Sequence, residues 1–152
     1  MTRAVLRTDG GARGNPGPAG AGFVIEDDGR VVCGGGRFLG ETTNNVAEYS
    51  ALIWGLENAA ALGYAHVIVY ADSELLVKQV NGAYRVKNEG LKPLFAEAMR
   101  LLRGFPGGYD VRHVRREQNK LADEMANQAM DARGTVGDPA CGPGGAGQAT
   151  LF

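Results

Sequence analysis

Cysteine is scarce, with only Cys33 and Cys141 in the chain. That is too few for a disulfide framework, and no close Cys or His pair offers the spacing a zinc site needs. A free buried thiol at Cys33 is the plainer expectation. A Cys33–Cys141 bridge tying down the C-terminal segment is the sharper one, and a reducing cytoplasm disfavours it. Long apolar runs are missing as well. None approaches the roughly 20 residues that span a bilayer, and residues 1–8 lack the basic-then-apolar pattern of a secretory leader. No membrane partner and a cytoplasmic location are therefore expected. Excess charge of one sign is also absent, since a net charge of −1 argues against a protein that coats nucleic acid indiscriminately. Within 152 residues there is no room for two catalytic domains, but the 44% hydrophobic content can close one core.

The charge that is present is unevenly spread. Between Lys78 and Lys120 stand ten Lys/Arg against four Asp/Glu, so this stretch is the expected phosphate-facing part. Ala4–Thr8 reads as a strand ending in Asp9, followed by GGARGNPGPAG, too rich in Gly and Pro to be regular. Ala21–Glu26 and Val31–Leu39 read as two strands joined antiparallel by the turn signal Asp28-Gly29. Gly34–Gly36 marks either a bulge or a close backbone approach. From Asn44 to Leu62 the residues Val46, Tyr49, Ile53, Leu56 and Ala60 recur at helix spacing, with Thr43 as N-cap and Gly63 as stop. His66–Ala71 is a β-branched run suited to a strand covered on both faces. Shorter helices are expected at Ser73–Val80 and Leu91–Arg103, a last strand at Asp110–Val114, and a closing helix at Gln118–Ala132 with Leu121, Ala122, Met125 and Ala129 inward. The order predicts an α/β domain over residues 1–133, a mixed sheet with helices on its faces, antiparallel hairpins first and crossovers later. Residues 134–152, rich in Gly and Pro, read as a tail tethered by Leu151 and Phe152, or as a linker to a further domain.

Four acids sit where an apolar element has no use for charge. Asp9 closes a strand, Asp72 ends the run VIVYA, Glu48 lies in the first turns of an amphipathic helix, and Asp123 lies beside the apolar side of the last helix. Any one alone is a cap or a turn former. Converging carboxylates, in contrast, repel one another unless cations stand between them. With no Cys or His cluster, oxygen-seeking Mg²⁺ or Mn²⁺ fits better than zinc. Two such ions can activate a water and stabilise the departing oxygen in an in-line phosphodiester displacement.

Four segments in order, TDGGARGNPGPAGAGFVI, TTNNVAEYSALIWGL, YADSELLVKQV and REQNKLADEMAN, give the chain from Val5 to Ala132 a specific resemblance to type 1 ribonucleases H. The resemblance implies a ribonuclease H-like fold with a five-stranded mixed sheet and a metal-binding carboxylate set at Asp9, Glu48, Asp72 and Asp123. It implies endonucleolytic cleavage of the RNA strand of an RNA–DNA hybrid, leaving 5′-phosphate and 3′-hydroxyl ends. It also implies that Gly10, Gly11, Arg13 and Asn15 approach the RNA backbone and its 2′-hydroxyls, that Asn44 and Asn45 reach base edges or sugars, and that Thr43 helps seat a DNA phosphate. The chemistry agrees: glycines let backbone groups come close, 2′-OH contacts tell RNA from DNA, and Asn44 and Asn45 share a helix face with Glu48. A P-loop is excluded because no Gly-Lys-Ser/Thr follows the glycines.

The chain departs from the family pattern twice. The His-containing loop before the last Asp is shortened to RREQN, and His113 falls within a strand, so Arg115 or Arg116 is the better candidate for holding a phosphate there. The connection Asn81–Gly90 is short and only mildly basic where relatives carry a basic protrusion, which shifts reliance to Lys87, Lys92 and the Arg115-Arg116 pair. Lack of the His loop raises activity on double-stranded RNA as a further expectation. The expected partner is an RNA–DNA hybrid and the expected state a monomer. The alternative reading, a non-catalytic hybrid-binding or double-stranded RNA binding module, would be favoured by the loss of one of the four acids, and none is lost.

Overall fold

The computed structural model of the chain describes residues 2–137. Cys141, Leu151 and Phe152, and with them the expected tether of the tail, lie outside the described residues. Six strands form one sheet in the order β5-β4-β1-β2-β3-β6. These are β1 (Arg3–Ala12), β2 (Gly17–Asp27), β3 (Arg30–Thr42), β4 (His66–Ala71), β5 (Tyr109–His113) and β6 (Val136–Gly137). Four helices accompany them: α1 (Asn44–Ala61), α2 (Glu74–Val80), α3 (Lys92–Arg103) and α4 (Lys120–Ala132). β1, β2 and β3 pair antiparallel, while β4 pairs with β1 and β5 with β4 in parallel, the mixed arrangement expected from hairpins followed by crossovers.

The hairpin at Asp28-Gly29 is as expected. Both residues have positive φ, 52° and 79°, which matches a two-residue turn to the twist of the strands it joins. Thr43 caps α1, its hydroxyl accepting the Val46 amide at 3.2 Å. Tyr49 and Leu56 of the expected helix stripe are buried, but Ala60 is exposed, and the buried face is wider, taking in Ala47, Ala51, Leu52, Trp54 and Ala59. The cause is that α1 packs against β1 and β2 and also against α3. Leu6, Phe23, Leu52, Leu56, Val67, Val69 and Leu102 fill the core between them, where each buried side chain contributes on the order of 2 kcal/mol.

Four readings are corrected or decided by the structure. GGARGNPGPAG is mostly regular: β1 runs to Ala12 and β2 starts at Gly17, with Gly10, Gly11 and Ala12 paired to Ala21, Gly20 and Ala19. The register shifts of the β2–β3 pair fall at Ala19/Gly20 and Ile25/Glu26 rather than at Gly34–Gly36, so the glycine run serves the other expectation, close approach. A Cβ on Gly36 would overlap the Met125 carbonyl and one on Gly22 would stand 2.7 Å from the Ala126 nitrogen, because the backbone of α4 lies directly on this face. The third correction is β6, a sixth strand just beyond Arg133, antiparallel to β3 at Gly35 and Gly36. Fourth, Cys33 is buried and disulfide-bonded rather than a free thiol.

Candidate active site

The four acids arrive from four elements at one end of the sheet. Thr8 and Ala71 are parallel partners, so the residues that follow them, Asp9 and Asp72, leave adjacent strands side by side. Asp9 pairs with Gly22 across the ladder, and the contact of Gly22 with α4 brings Asp123, in that helix's first turn, to the same place. Gly10 does the equivalent for α1: a Cβ there would overlap the Ala47 carbonyl and lie 2.6 Å from the Glu48 nitrogen. Each carboxylate-bearing helix thus touches the sheet where a side chain is missing.

Asp9, Glu48, Asp72 and Asp123 line one cleft of about 480 Å³ together with Gly10, Gly11, Arg13, Asn44, Asn45 and Arg116. A shallower cleft of about 800 Å³ lies at the other end of the sheet, around Arg3, Asp27, Asp28 and His66, and gathers no comparable set of carboxylates. The electrostatics of the acid cleft are those of charges crowded without compensation. Burial, hydrogen bonding to Asp123 and the charges of Asp72 and Asp123 drive the Asp9 carboxyl far above the usual carboxylate range. Burial, with the charge of Asp72 adding, lifts Glu48 to about 7, while a hydrogen bond from Ser73 pulls the other way. Asp72 Oδ2 is buried without a hydrogen-bond partner, and its nearest cation, the Arg116 Nε, stands 3.9 Å away with the Arg116 side chain 81% exposed.

Among the described residues no three Asp, Glu, His or Cys side chains form a ready-made metal cage. The donor set still suits a hard divalent cation. It is all carboxylate, one buried oxygen lacks a partner, and magnesium usually completes its octahedron with waters and substrate oxygens rather than with protein alone. A cation would also relieve the repulsion that adds to burial in raising the Asp9 carboxyl.

The remaining expected residues divide. Asn44 is partly used by the fold: its Oδ1 accepts the Ala12 backbone amide at 2.7 Å, and its backbone N–H donates to Asn15 Oδ1 at 3.1 Å. Asn15 and Thr43 line a neighbouring cleft of about 370 Å³ with Asn45, Asn88 and Leu91, so Asn45 belongs to both. Gly10 is required by helix packing, whereas a Cβ on Gly11 would meet only Asn44 Oδ1 at an ordinary 3.7 Å, so packing does not demand a glycine there. Arg13 pairs with Asp131 at 2.8 Å. Arg115 lines neither cleft and is exposed. His113 ends β5, as expected, and lies outside the acid cleft. Lys92 pairs with Glu89 at 3.0 Å.

Residue-type reasoning missed three polar side chains. Ser73 caps α2, accepting the Leu76 amide at 3.2 Å, while it bonds Glu48. Asn119, fully buried, donates from Nδ2 to the Thr8 carbonyl at 2.8 Å and so ties the start of α4 to the strand that carries Asp9. Asn127 lines the cleft and bonds Asp123. The signal for Asn127 was its (i, i+4) spacing from Asp123, and for Ser73 its place directly after Asp72 before a helix.

Comparison with known proteins is consistent with this geometry. A family model described as "Reverse transcriptase-like" matches residues 7–129. The crystal structure of RNase H1 from Halobacterium salinarum superposes with a TM-score of 0.82 at 42% identity, covering 86% of this chain and 98% of that one. The N-terminal RNase H domain of a Mycobacterium tuberculosis protein gives a TM-score of 0.84 at 41% identity, covering 87% and 96%. LC11-RNase H1 in complex with an RNA/DNA hybrid gives 0.81 at 44% identity, covering 86% and 98%. The chain spans 62% of the full-length Halobacterium ribonuclease HI and 36% of the full-length Mycobacterium bifunctional protein.

Proposed function

Because this chain belongs to the type 1 ribonuclease H family, we propose that it is an endonuclease hydrolysing the RNA strand of RNA–DNA hybrids, with Asp9, Glu48, Asp72 and Asp123 as the residues that hold Mg²⁺ or Mn²⁺. The observation that carries the reading is the convergence of these four carboxylates on one open cleft, where burial first, and neighbouring carboxylate charge after it, raise Asp9 and Glu48. Two divalent ions held by these carboxylates with substrate present would supply Lewis acidity for activating water and stabilising the leaving oxygen.

The chain's own residues do the rest. Ser73 fixes the Glu48 carboxylate from the N-cap of α2. Gly11, with no neighbour in the way of its backbone, is where a ribose 2′-hydroxyl can be met by amide and carbonyl groups. Asn44, its carbonyl oxygen already engaged by Ala12, turns its amide NH₂ to the ligand as a donor, and Asn45 stands beside it. In the adjoining cleft, the same reading assigns Thr43 to a DNA phosphate and Asn15 to the RNA backbone. Arg116, extended beside Asp72, holds a phosphate with its guanidinium fork, and Arg115 serves as a second cation further out. Products carry 5′-phosphate and 3′-hydroxyl ends.

No described helix is long and apolar enough to cross a membrane. Cleavage of labelled hybrid, duplex RNA and duplex DNA of one sequence, with Mg²⁺ or Mn²⁺, tests the proposal. Cutting of hybrid RNA supports it, additional cutting of duplex RNA extends the substrate class, and binding without cutting returns the chain to the class of hybrid-binding modules. A monomer acting in the cytoplasm is part of the same proposal.

A further inference from the structure

We infer that Asn127 is a positioning residue that links substrate capture at Arg13 to the carboxylate Asp123. It stands one turn after Asp123 on α4, and its Nδ2 donates to the Asp123 carbonyl at 3.0 Å and to Asp123 Oδ1 at 3.2 Å. Its Oδ1 accepts from the Arg13 guanidinium at 3.3 Å, and the same Arg13 nitrogen reaches the Asn127 carbonyl at 3.4 Å. Arg13 comes from the connection between β1 and β2, so the amide bridges two separate elements across the mouth of the cleft.

The chemistry of this bridge leaves little choice of residue. A guanidinium only donates and a carboxylate only accepts, so one orientation of the amide satisfies both neighbours and the flipped orientation satisfies neither. Asp at this position would repel Asp123, and Leu, of similar volume, would bond neither side. The bridge has two consequences. It holds the Asp123 side chain in one rotamer through its Oδ1, so a cation meets a carboxylate already oriented, as outer partners of metal ligands generally arrange. It also makes the position of Arg13 depend on that of Asp123. The remaining Arg13 contact, Nη1 to Asp131 at 2.8 Å, lies on the surface with Asp131 69% exposed, and is the kind of pair that a phosphate can replace at little cost.

What Arg13 meets rests on the nuclease reading, whereas the bridge itself does not, and the experiment separates the two. In the full chain, side-chain amide resonances of Asn127 are followed by NMR in wild type, Arg13→Ala and Asp123→Asn, and during addition of Mg²⁺. Mn²⁺ affinity of wild type and Asn127→Leu is measured by calorimetry without nucleic acid. Hybrid affinity is measured for Arg13→Ala in the wild-type and Asn127→Leu backgrounds. The expected results are amide shifts on each substitution and with Mg²⁺, Mn²⁺ binding about tenfold weaker in Asn127→Leu, and an Arg13→Ala effect on hybrid binding of several-fold in wild type that falls below about twofold in Asn127→Leu. Amide resonances indifferent to Arg13→Ala overturn the inference, as does Mn²⁺ binding that is measurable and equally tight in wild type and Asn127→Leu. The NMR arm uses the native Asn127 and so decides the matter even if Asn127→Leu fails to fold. Amide shifts on substitution in a protein that binds neither Mn²⁺ nor hybrid would support the bridge and sink the nuclease reading alone.

Discussion

Substituting Glu48 by Gln should stabilise the metal-free protein at high pH and leave it unchanged at low pH. The Glu48 carboxyl is lifted from 4.5 to about 7, chiefly by burial, with the charge of Asp72 adding and the Ser73 hydrogen bond opposing. A carboxyl with a raised folded-state pKa binds more protons folded than unfolded. Its stability contribution is therefore fully present below about 4.5 and is lost as the pH rises through about 7. At about 1.4 kcal/mol per pH unit the gap amounts to roughly 3 kcal/mol at pH 8, or about 10 °C in Tm for a chain of this size. Gln keeps an acceptor for Ser73 but never ionises, so it removes the loss. Asp9 acts with the same sign and extends the decline to still higher pH, so Asp9→Asn should behave like Glu48→Gln with a larger effect. The assay is thermal unfolding in EDTA from pH 4 to pH 9 for wild type and Glu48→Gln, repeated with millimolar Mg²⁺. Wild type should lose Tm with rising pH in EDTA and regain most of it with Mg²⁺ at pH 8, while Glu48→Gln should run flatter in EDTA. Tm curves for the two proteins that stay parallel from pH 4 to pH 9 would refute the reasoning.

Gly22→Ala pushes a methyl into the backbone of α4 and should cost about 1–3 kcal/mol as overpacking, with a loss of metal affinity because Asp123 moves with the helix. Urea unfolding and Mn²⁺ calorimetry check both halves. Arg115→Ala/Arg116→Ala should weaken hybrid binding and reduce the slope of log affinity against log salt by about one for each arginine that meets a phosphate. An unchanged slope removes the pair from the interface. Thiol titration of the unfolded, unreduced protein should find Cys33 unreactive, and reactivity of both cysteines without reductant would contradict the disulfide.

Much of this architecture is legible in residue spacing. Apolar periodicity gives α1, β4 and α3 nearly to the residue, and Asp28-Gly29 gives the first hairpin. The reading fails where tertiary contact overrides local preference. Glycine disfavours strands in isolation, so GGARGNPGPAG looks irregular, yet Gly10, Gly20 and Gly22 stay in the ladder because α1 and α4 need room against them. β6, two residues long, is too short to carry any period. Of the site, the acids are legible because a charge that ends an apolar strand, as Asp9 and Asp72 do, or that stands beside an amphipathic helix's apolar side, as Asp123 does, is conspicuous, and Glu48 joins them from the first turns of α1. Asn119 and Ser73 are not, since a polar residue that serves a neighbour's backbone or carboxylate looks like any cap until the fold shows what it faces.

The proposed role of these four carboxylates is to hold cations against a scissile phosphate. The most direct measurement is cleavage of a labelled RNA–DNA hybrid by wild type, Asp9→Asn and Asp72→Asn across a titration of Mg²⁺ and Mn²⁺. The expected result is metal-dependent cutting of the RNA strand by wild type and a loss of at least about a hundredfold in either variant. Cleavage that persists in EDTA, or in both variants at wild-type rates, would contradict it.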